Sequence, residues 1–245
     1  MLRNKKIFLL ALLLLCAAGV SAQHYVGVRV GYGGGSTRIE PREDTGSLFG
    51  WPSGGLSWRY YSPVKYVGAI GADLQYVKTG YKRFYKGNKD SDTSYHRTVA
   101  SIEMPFMWQP HVYLFNRRAR AFVNLGVYVS YNIASDTLTV SKINGTLHEG
   151  KYPLRTVKDN IWGYGLCGGA GIGVFFDRFE VLIEARYNFG YNDLLKNFKK
   201  YPGNPKRSPV DMLNISVGVN YRLGKGGILS PPAVRKKKTI DPDLE

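Results

Sequence analysis

The chain has 245 residues, 44% hydrophobic and 13% aromatic, with 29 glycines, 18 tyrosines and a formal net charge of +16. Beyond residue 22 no run approaches the roughly 18 consecutive apolar residues of a spanning helix. That excludes a helical membrane protein but not a membrane barrel, whose strands give a weaker signal.

Arg3, Lys5 and Lys6 precede the apolar run 7–20, and Val20-Ser21-Ala22 has the small-x-small form of a cleavage site. Residues 1–22 therefore read as a cleaved export signal. Leu15 before Cys16 does not suit a lipoprotein signal. Cleavage would leave Cys167 as the sole cysteine, on a glycine-rich face where it reads as a small packing residue.

The first expected strand, 25–32, sets Val26, Val28, Val30 and Tyr32 against Arg29, and a Gly-, Pro- and charge-rich loop follows to about Ser53. The second sets Leu56, Trp58 and Tyr60 against Arg59. The third sets Ile70, Ala72, Leu74 and Tyr76 against Gly71, Asp73 and Gln75, before a polar loop over 79–97. In the fourth, Ala100, Ile102, Met104, Phe106 and Trp108 oppose Ser101, Glu103 and Pro105, and the proline predicts a bulge. A turn at Phe115-Asn116-Arg117-Arg118 leads to the fifth strand, 121–133, and a third long loop covers 134–160.

The stretch 161–191 reads as two strands joined at Asp177-Arg178. Its first strand turns Trp162, Tyr164, Leu166, Ala170, Ile172, Val174 and Phe176 to one face and Gly163, Gly165, Cys167, Gly169, Gly171 and Gly173 to the other. The eighth strand, 213–223, follows the loop 192–209. Side chains switch faces at each strand residue, so every strand has an apolar and a small or polar face.

The strand count is even, and connections alternate between long and short. A barrel with both ends in the periplasm has that asymmetry, whereas a soluble sandwich has no reason for it. The fold expected is all-β: an eight-stranded antiparallel transmembrane up-and-down β-barrel over 23–223, with short periplasmic turns and long extracellular loops. Residues 224–245, carrying Arg235-Lys236-Lys237-Lys238, read as a disordered basic periplasmic tail.

Turned inward, the polar faces bring Arg29, Arg59 and Arg186 against Asp73, Glu103 and Glu184, accompanied by Gln75, Asn124, Asn188 and Asn214. Eight strands leave an interior that side chains just fill, and charges there must be paired or hydrated. The expectation is a salt-bridged lumen without a continuous pore; an ion or proton path is the alternative.

Gly163-x-Gly165-x-x-Gly168 matches a dinucleotide fingerprint by letters, but it lies within a strand and no helix can follow Gly169-Ala170-Gly171-Ile172-Gly173. It reads instead as backbone room beside large inward side chains such as Arg186. His24, His96, His111 and His148 have no metal-ligand spacing. His96 or His148 with Ser94 or Glu149 could form a lipid-modifying surface hydrolase site, yet nothing in the sequence aligns nucleophile and base. No cofactor is expected, and the chain reads as non-enzymatic.

The basic excess concentrates in the loops. Lys82, Arg83, Lys86, Lys199, Lys200, Lys206 and Arg207 are candidates for binding an anionic surface, with Lys89, Arg97, Lys142, Lys151, Arg155, Lys158 and Lys196 beside them. The partners expected are outer-membrane lipid and lipopolysaccharide. A periplasmic or secretion-system protein is a further candidate, and an external address argues against nucleic acid.

Ala100-Ser101-Ile102-Glu103-Met104-Pro105-Phe106, Asn124-Leu125-Gly126-Val127-Tyr128 and Ile183-Glu184-Ala185-Arg186-Tyr187-Asn188-Phe189-Gly190, with the Ala22-Gln23 junction, carry a resemblance to known sequences. With these motifs the chain resembles the Bacteroidetes outer-membrane β-barrel family that includes PorT. The resemblance implies residence in the cell outer membrane and, for PorT-like members, an accessory part in type IX protein secretion. The reading is thus a structural or binding scaffold, with secretion accessory as runner-up and small porin or lipid-modifying enzyme behind it.

Overall fold

Alternation of outward apolar and inward polar residues builds every long element of the computed structural model, which describes residues 23–41, 43, 45–62, 68–84, 93–141 and 147–223. Ten strands form: β1 (Gln23–Thr37), β2 (Thr45–Tyr61), β3 (Ala69–Phe84), β4 (Thr93–Gln109), β5 (His111–Leu114), β6 (Ala119–Ser141), β7 (Leu147–Lys151), β8 (Trp162–Phe176), β9 (Phe179–Gly190) and β10 (Val210–Leu223). Eight of them close a ring in the order β1-β2-β3-β4-β6-β8-β9-β10, with β10 antiparallel to β1. The two short strands β5 and β7 pair only with β6. Among the described residues no helix is long and apolar enough to cross a membrane. The expected export signal, 1–22, and basic tail, 224–245, lie outside the described residues.

The apolar faces point outward, as expected. On β1, Val30 is 66% exposed while its neighbour Arg29 is 4% exposed. On β9, Phe179, Val181, Ile183 and Tyr187 face out, and Tyr191 just past its end is exposed as well. Twelve steps from Phe179 to Tyr191, at about 3.3 Å each and tilted by about 40°, give an outward apolar band about 30 Å high, which matches a bilayer's hydrocarbon core.

Two tight turns lie where expected. Phe115, Asn116 and Arg117 all adopt positive φ (50°, 53° and 66°), and Asp177 does so at 51° in the β8–β9 turn. Asn and Asp tolerate this left-handed region better than most residues.

Three expectations need correction. The loops expected over 33–53, 79–97 and 134–160 are in large part strand, because β1, β2, β3, β4 and β6 all run past the apolar alternation. Above the outward apolar band the ladder continues with polar faces, and hydrophobic periodicity cannot register such strand. The β1–β2 connection shrinks to 38–44, the length of 62–68 at the opposite end, so loop asymmetry rests mainly on 192–209 and on the β6–β8 segment.

Pro105 does not create a bulge. Pairing with β6 runs unbroken through Met104, Pro105 and Phe106, and pairing with β3 lapses opposite it and resumes in the same register. A missing N–H removes a rung without adding a residue. The register shift on β4 lies instead between Ala100 and Ser101.

The β8 glycines make room for other side chains than Arg186. A Cβ at Gly165 would come 2.8 Å from the Tyr128 ring, one at Gly173 would come 2.5 Å from Glu180 Oε1, and one at Gly171 would overlap the Phe122 ring. At Gly169 the crowding comes from the backbone of Ala185 and Arg186.

Apolar clusters stand at both ends of the interior. Tyr25, Tyr61, Ala69 and Phe175 pack at the turn end. Ile39, Tyr81, Val99 and Leu194 pack at the loop end, with Val210 against them. Cys167 is buried with Met107 and Tyr128, a packing position.

Candidate functional site

Between those apolar clusters the interior is charged. Period-two alternation delivers Arg29 from β1, Arg59 from β2, Asp73 from β3 and both Glu184 and Arg186 from β9 to one level. Arg29 Nη1 donates to Glu184 at 2.8 Å, Arg59 Nη1 to Asp73 at 2.5 Å, and Arg186 Nη2 to Asp73 at 2.8 Å. Arg186 also lies 2.5 Å from Glu184. Three guanidiniums and two carboxylates thus form one connected network with side chains at most 3% exposed. In a low-dielectric interior such groups are tolerable only when paired and hydrogen-bonded.

Glu103, the sixth expected member, lies deeper towards the loop end and makes no ion pair among the described residues. Its carboxylate accepts from Gln75 Nε2 at 3.3 Å and from Asn188 Nδ2. It lines a cavity of about 50 Å³ with Ser101, Tyr128, Asn132, Asn188 and Leu194. At about 10–15 Å³ per water this space has room for about three to five waters. It occupies the loop half of the interior and does not traverse it.

A second ion pair, which mid-strand alternation does not report, stands at the turn end. Arg120 Nε donates to Glu180 at 2.5 Å, its Nη1 donates to Gln109 at 2.9 Å, and both charged side chains are fully buried. The Arg120 guanidinium also lies 4.7 Å from the Tyr61 ring and 4.6 Å from the Phe122 ring. Glu180 shares the face of Glu184 and Arg186, and the same alternation extended by two inward positions reaches it. At the other end Arg97 donates to Asp159 at 2.9 Å, tying the 152–160 segment into the barrel mouth.

The basic rim residues divide. Arg83 pairs with Glu43 at 2.5 Å, and Lys82 stands 4.8 Å over the Phe84 ring. Lys199, Lys200, Lys206 and Arg207 are exposed residues of the 192–209 segment, where Arg207 reaches Asp193 at 3.3 Å. Lys86 lies outside the described residues, as do Lys89 and Lys142. The structure therefore gathers the 192–209 lysines, Lys196 among them, with Arg155 and Lys158 on the adjoining 152–160 segment, joined by Lys196 N donating to Lys158 O at 2.9 Å.

Of the hydrolase candidates, Ser94 Oγ and His96 Nε2 lie 3.1 Å apart on β4. Burial and the nearby Lys82 ammonium hold the His96 imidazole below its usual pKa. No carboxylate is hydrogen-bonded to its other nitrogen among the described residues, so the orienting third group of a nucleophile–base site is missing from them. No group of three His, Cys, Asp or Glu among the described residues could hold a metal ion.

The family described as outer membrane protein beta-barrel domain matches residues 21–196, more than two thirds of the chain. No curated protein matches. Among solved structures, OprG of Pseudomonas aeruginosa is similar at 13% identity and a TM-score of 0.45, over 84% of this chain and 99% of that one. Neisserial surface protein A is similar at 14% identity and a TM-score of 0.38, over 82% of this chain and 97% of that one. The attachment invasion locus protein Ail of Yersinia pestis is similar at 13% identity and a TM-score of 0.33, over 82% and 99%. Membership rests on the family match, which carries localisation in the outer membrane with it: the chain belongs to the outer membrane protein beta-barrel domain family.

Proposed function

We propose that the protein is a non-enzymatic scaffold of the outer membrane, with a closed lumen and basic loops presented to the anionic cell surface. The observation that carries this reading is the ion network of Arg29, Arg59, Asp73, Glu184 and Arg186, which spans the interior between two apolar clusters. An eight-stranded interior has no room for a water column beside five such side chains.

In this reading the 192–209 side faces outward and the Asp177-Arg178 turn faces the periplasm, because longer connections grow freely only on the outer side. The motifs in β4, β6 and β9 support placement with the PorT-like barrels of Bacteroidetes. The test is osmotic swelling of proteoliposomes in small sugars. Liposomes holding the folded protein should swell no faster than empty ones, and rapid swelling would make it a small porin. A deletion strain that retains its outer-membrane permeability but loses secreted cargo would instead favour the secretion accessory role.

A further inference from the structure

Two segments at the loop end form a cationic platform in which six basic side chains have no acidic partner among the described residues. The 152–160 and 192–209 segments are braced together: Asp159 bridges Leu195, Asn160 N donates to Leu194 O at 2.9 Å, and Asn204 Nδ2 donates to the carbonyls of both Lys158 and Lys196, at 3.0 and 2.8 Å. Asn197 braces the next turn. Its Oδ1 accepts from Lys199 N at 3.0 Å and its Nδ2 donates to Lys206 O at 2.7 Å. The lysine backbones are therefore fixed before any ligand arrives.

Both carboxylates on these segments are already engaged. Asp159 accepts from Arg97 and from Arg155 N, each at 2.9 Å; Asp193 accepts from Ser208 N at 2.7 Å and pairs with Arg207. Arg155, Lys158, Lys196, Lys199, Lys200 and Lys206 have no carboxylate within ion-pair distance among the described residues. Six like charges on braced backbone repel one another, and an external polyanion would remove that repulsion at little ordering cost.

The same segments expose apolar groups. Val157 is 67% exposed and Phe198 is also exposed, in sequence beside Lys158 and Lys199, and the exposed outward rings of Trp162 and Tyr191 adjoin them along the chain. Alternating basic and apolar groups next to an aromatic girdle suit the headgroup level of a membrane better than open solution. We infer that this platform binds the phosphates of phosphorylated outer-leaflet glycolipid, with Lys158, Lys196 and Lys206 as principal ligands. The inference rests on the outward orientation proposed above.

The test uses the full-length protein in detergent micelles and measures binding of diphosphorylated lipid A, its dephosphorylated form, and inorganic pyrophosphate. Diphosphorylated lipid A should bind, and weaken as salt rises from about 0.1 M to about 1 M, where the screening length falls from about 10 Å to about 3 Å. The dephosphorylated form and free pyrophosphate should bind at least about tenfold more weakly. The triple variant Lys158→Gln/Lys196→Gln/Lys206→Gln should lose at least about tenfold in affinity while keeping heat-modifiable gel mobility, because charge-assisted contacts dominate phosphate recognition. Arg117→Gln/Arg118→Gln, at the turn end, should bind as the parent does. Unchanged affinity in the triple variant, equal loss in the turn-end variant, or pyrophosphate binding as tight as lipid A would overturn the assignment. Labelling of Lys200→Cys on intact cells tests orientation separately: failure to label with lysine-dependent binding retained would refute the outward reading alone.

Discussion

Arg186 on β9 donates to Asp73 on β3 at 2.8 Å across the full width of the barrel. The two strands stand four places apart in a ring of eight, so this contact is a diameter. Asp73 also receives Arg59 at 2.5 Å and has Arg29 at 3.8 Å, which makes one carboxylate the shared partner of three guanidiniums. The lumen is crossed by a strut as well as lined by charges.

Removing that carboxylate should be costly. Asp73→Asn leaves Arg59 without an acidic partner among the described residues and should destabilise the barrel by about 3–5 kcal/mol, the usual consequence of breaking a buried pair. Asp73→Leu combined with Arg59→Met should recover a large part of the loss, because desolvation of the orphaned charge goes with it. Denaturant unfolding in micelles, read as a double-mutant cycle, checks both.

Gly171→Val should overlap the Phe122 ring and the β9 backbone, at a cost of about 1–3 kcal/mol for overpacking. Gly150→Ala on the exposed β7 has only Thr137 Oγ1 near it, at 3.7 Å, and should change stability by less than about 0.5 kcal/mol. The same unfolding assay separates a packing role for the β8 glycines from simple strand preference, which would treat the two substitutions alike.

These two cases show what was legible in the sequence. Outward faces, the glycine face and the mid-strand charges all follow from alternation, and Arg29, Asp73, Glu184 and Arg186 meet accordingly. Sign and depth group Glu103 with them, but alternation assigns a face without saying which inward groups stand level across the barrel, and Glu103 meets amides instead. The Arg120–Glu180 pair lies past the mid-strand window in which alternation picks out charges. The loop-end parts of β3, β4 and β6 are not legible because polar strand has no hydrophobic period. The Asp159–Arg97 contact joins residues 62 positions apart through a loop, which no local pattern reports.

Leu194 anchors the 192–209 segment in the cluster of Ile39, Tyr81 and Val99. Leu194→Ala should cost about 2–3 kcal/mol of stability and increase proteolysis within 192–209. It should not open a pore, because the strut lies below it. Limited proteolysis paired with liposome swelling reads the two effects independently.

His96 should titrate below the usual imidazole value of about 6.5, since burial and Lys82 both disfavour its charged form. The unfolded chain then binds the proton more readily, so this group leaves stability unchanged above about pH 6.5 and reduces it as pH falls from there towards the folded pKa. Lys82→Gln should move the titration upward. Histidine-resolved NMR in micelles gives both values, and a His96 pKa above 6.5 would remove the basis for the shift.

Single-channel recording in planar lipid bilayers reaches the central claim most directly. A lumen strutted by Arg186 and Asp73 and capped at both ends should give a flat baseline at all holding potentials where the bilayer is stable. Steady nanosiemens-scale steps from folded, heat-modifiable protein would contradict it.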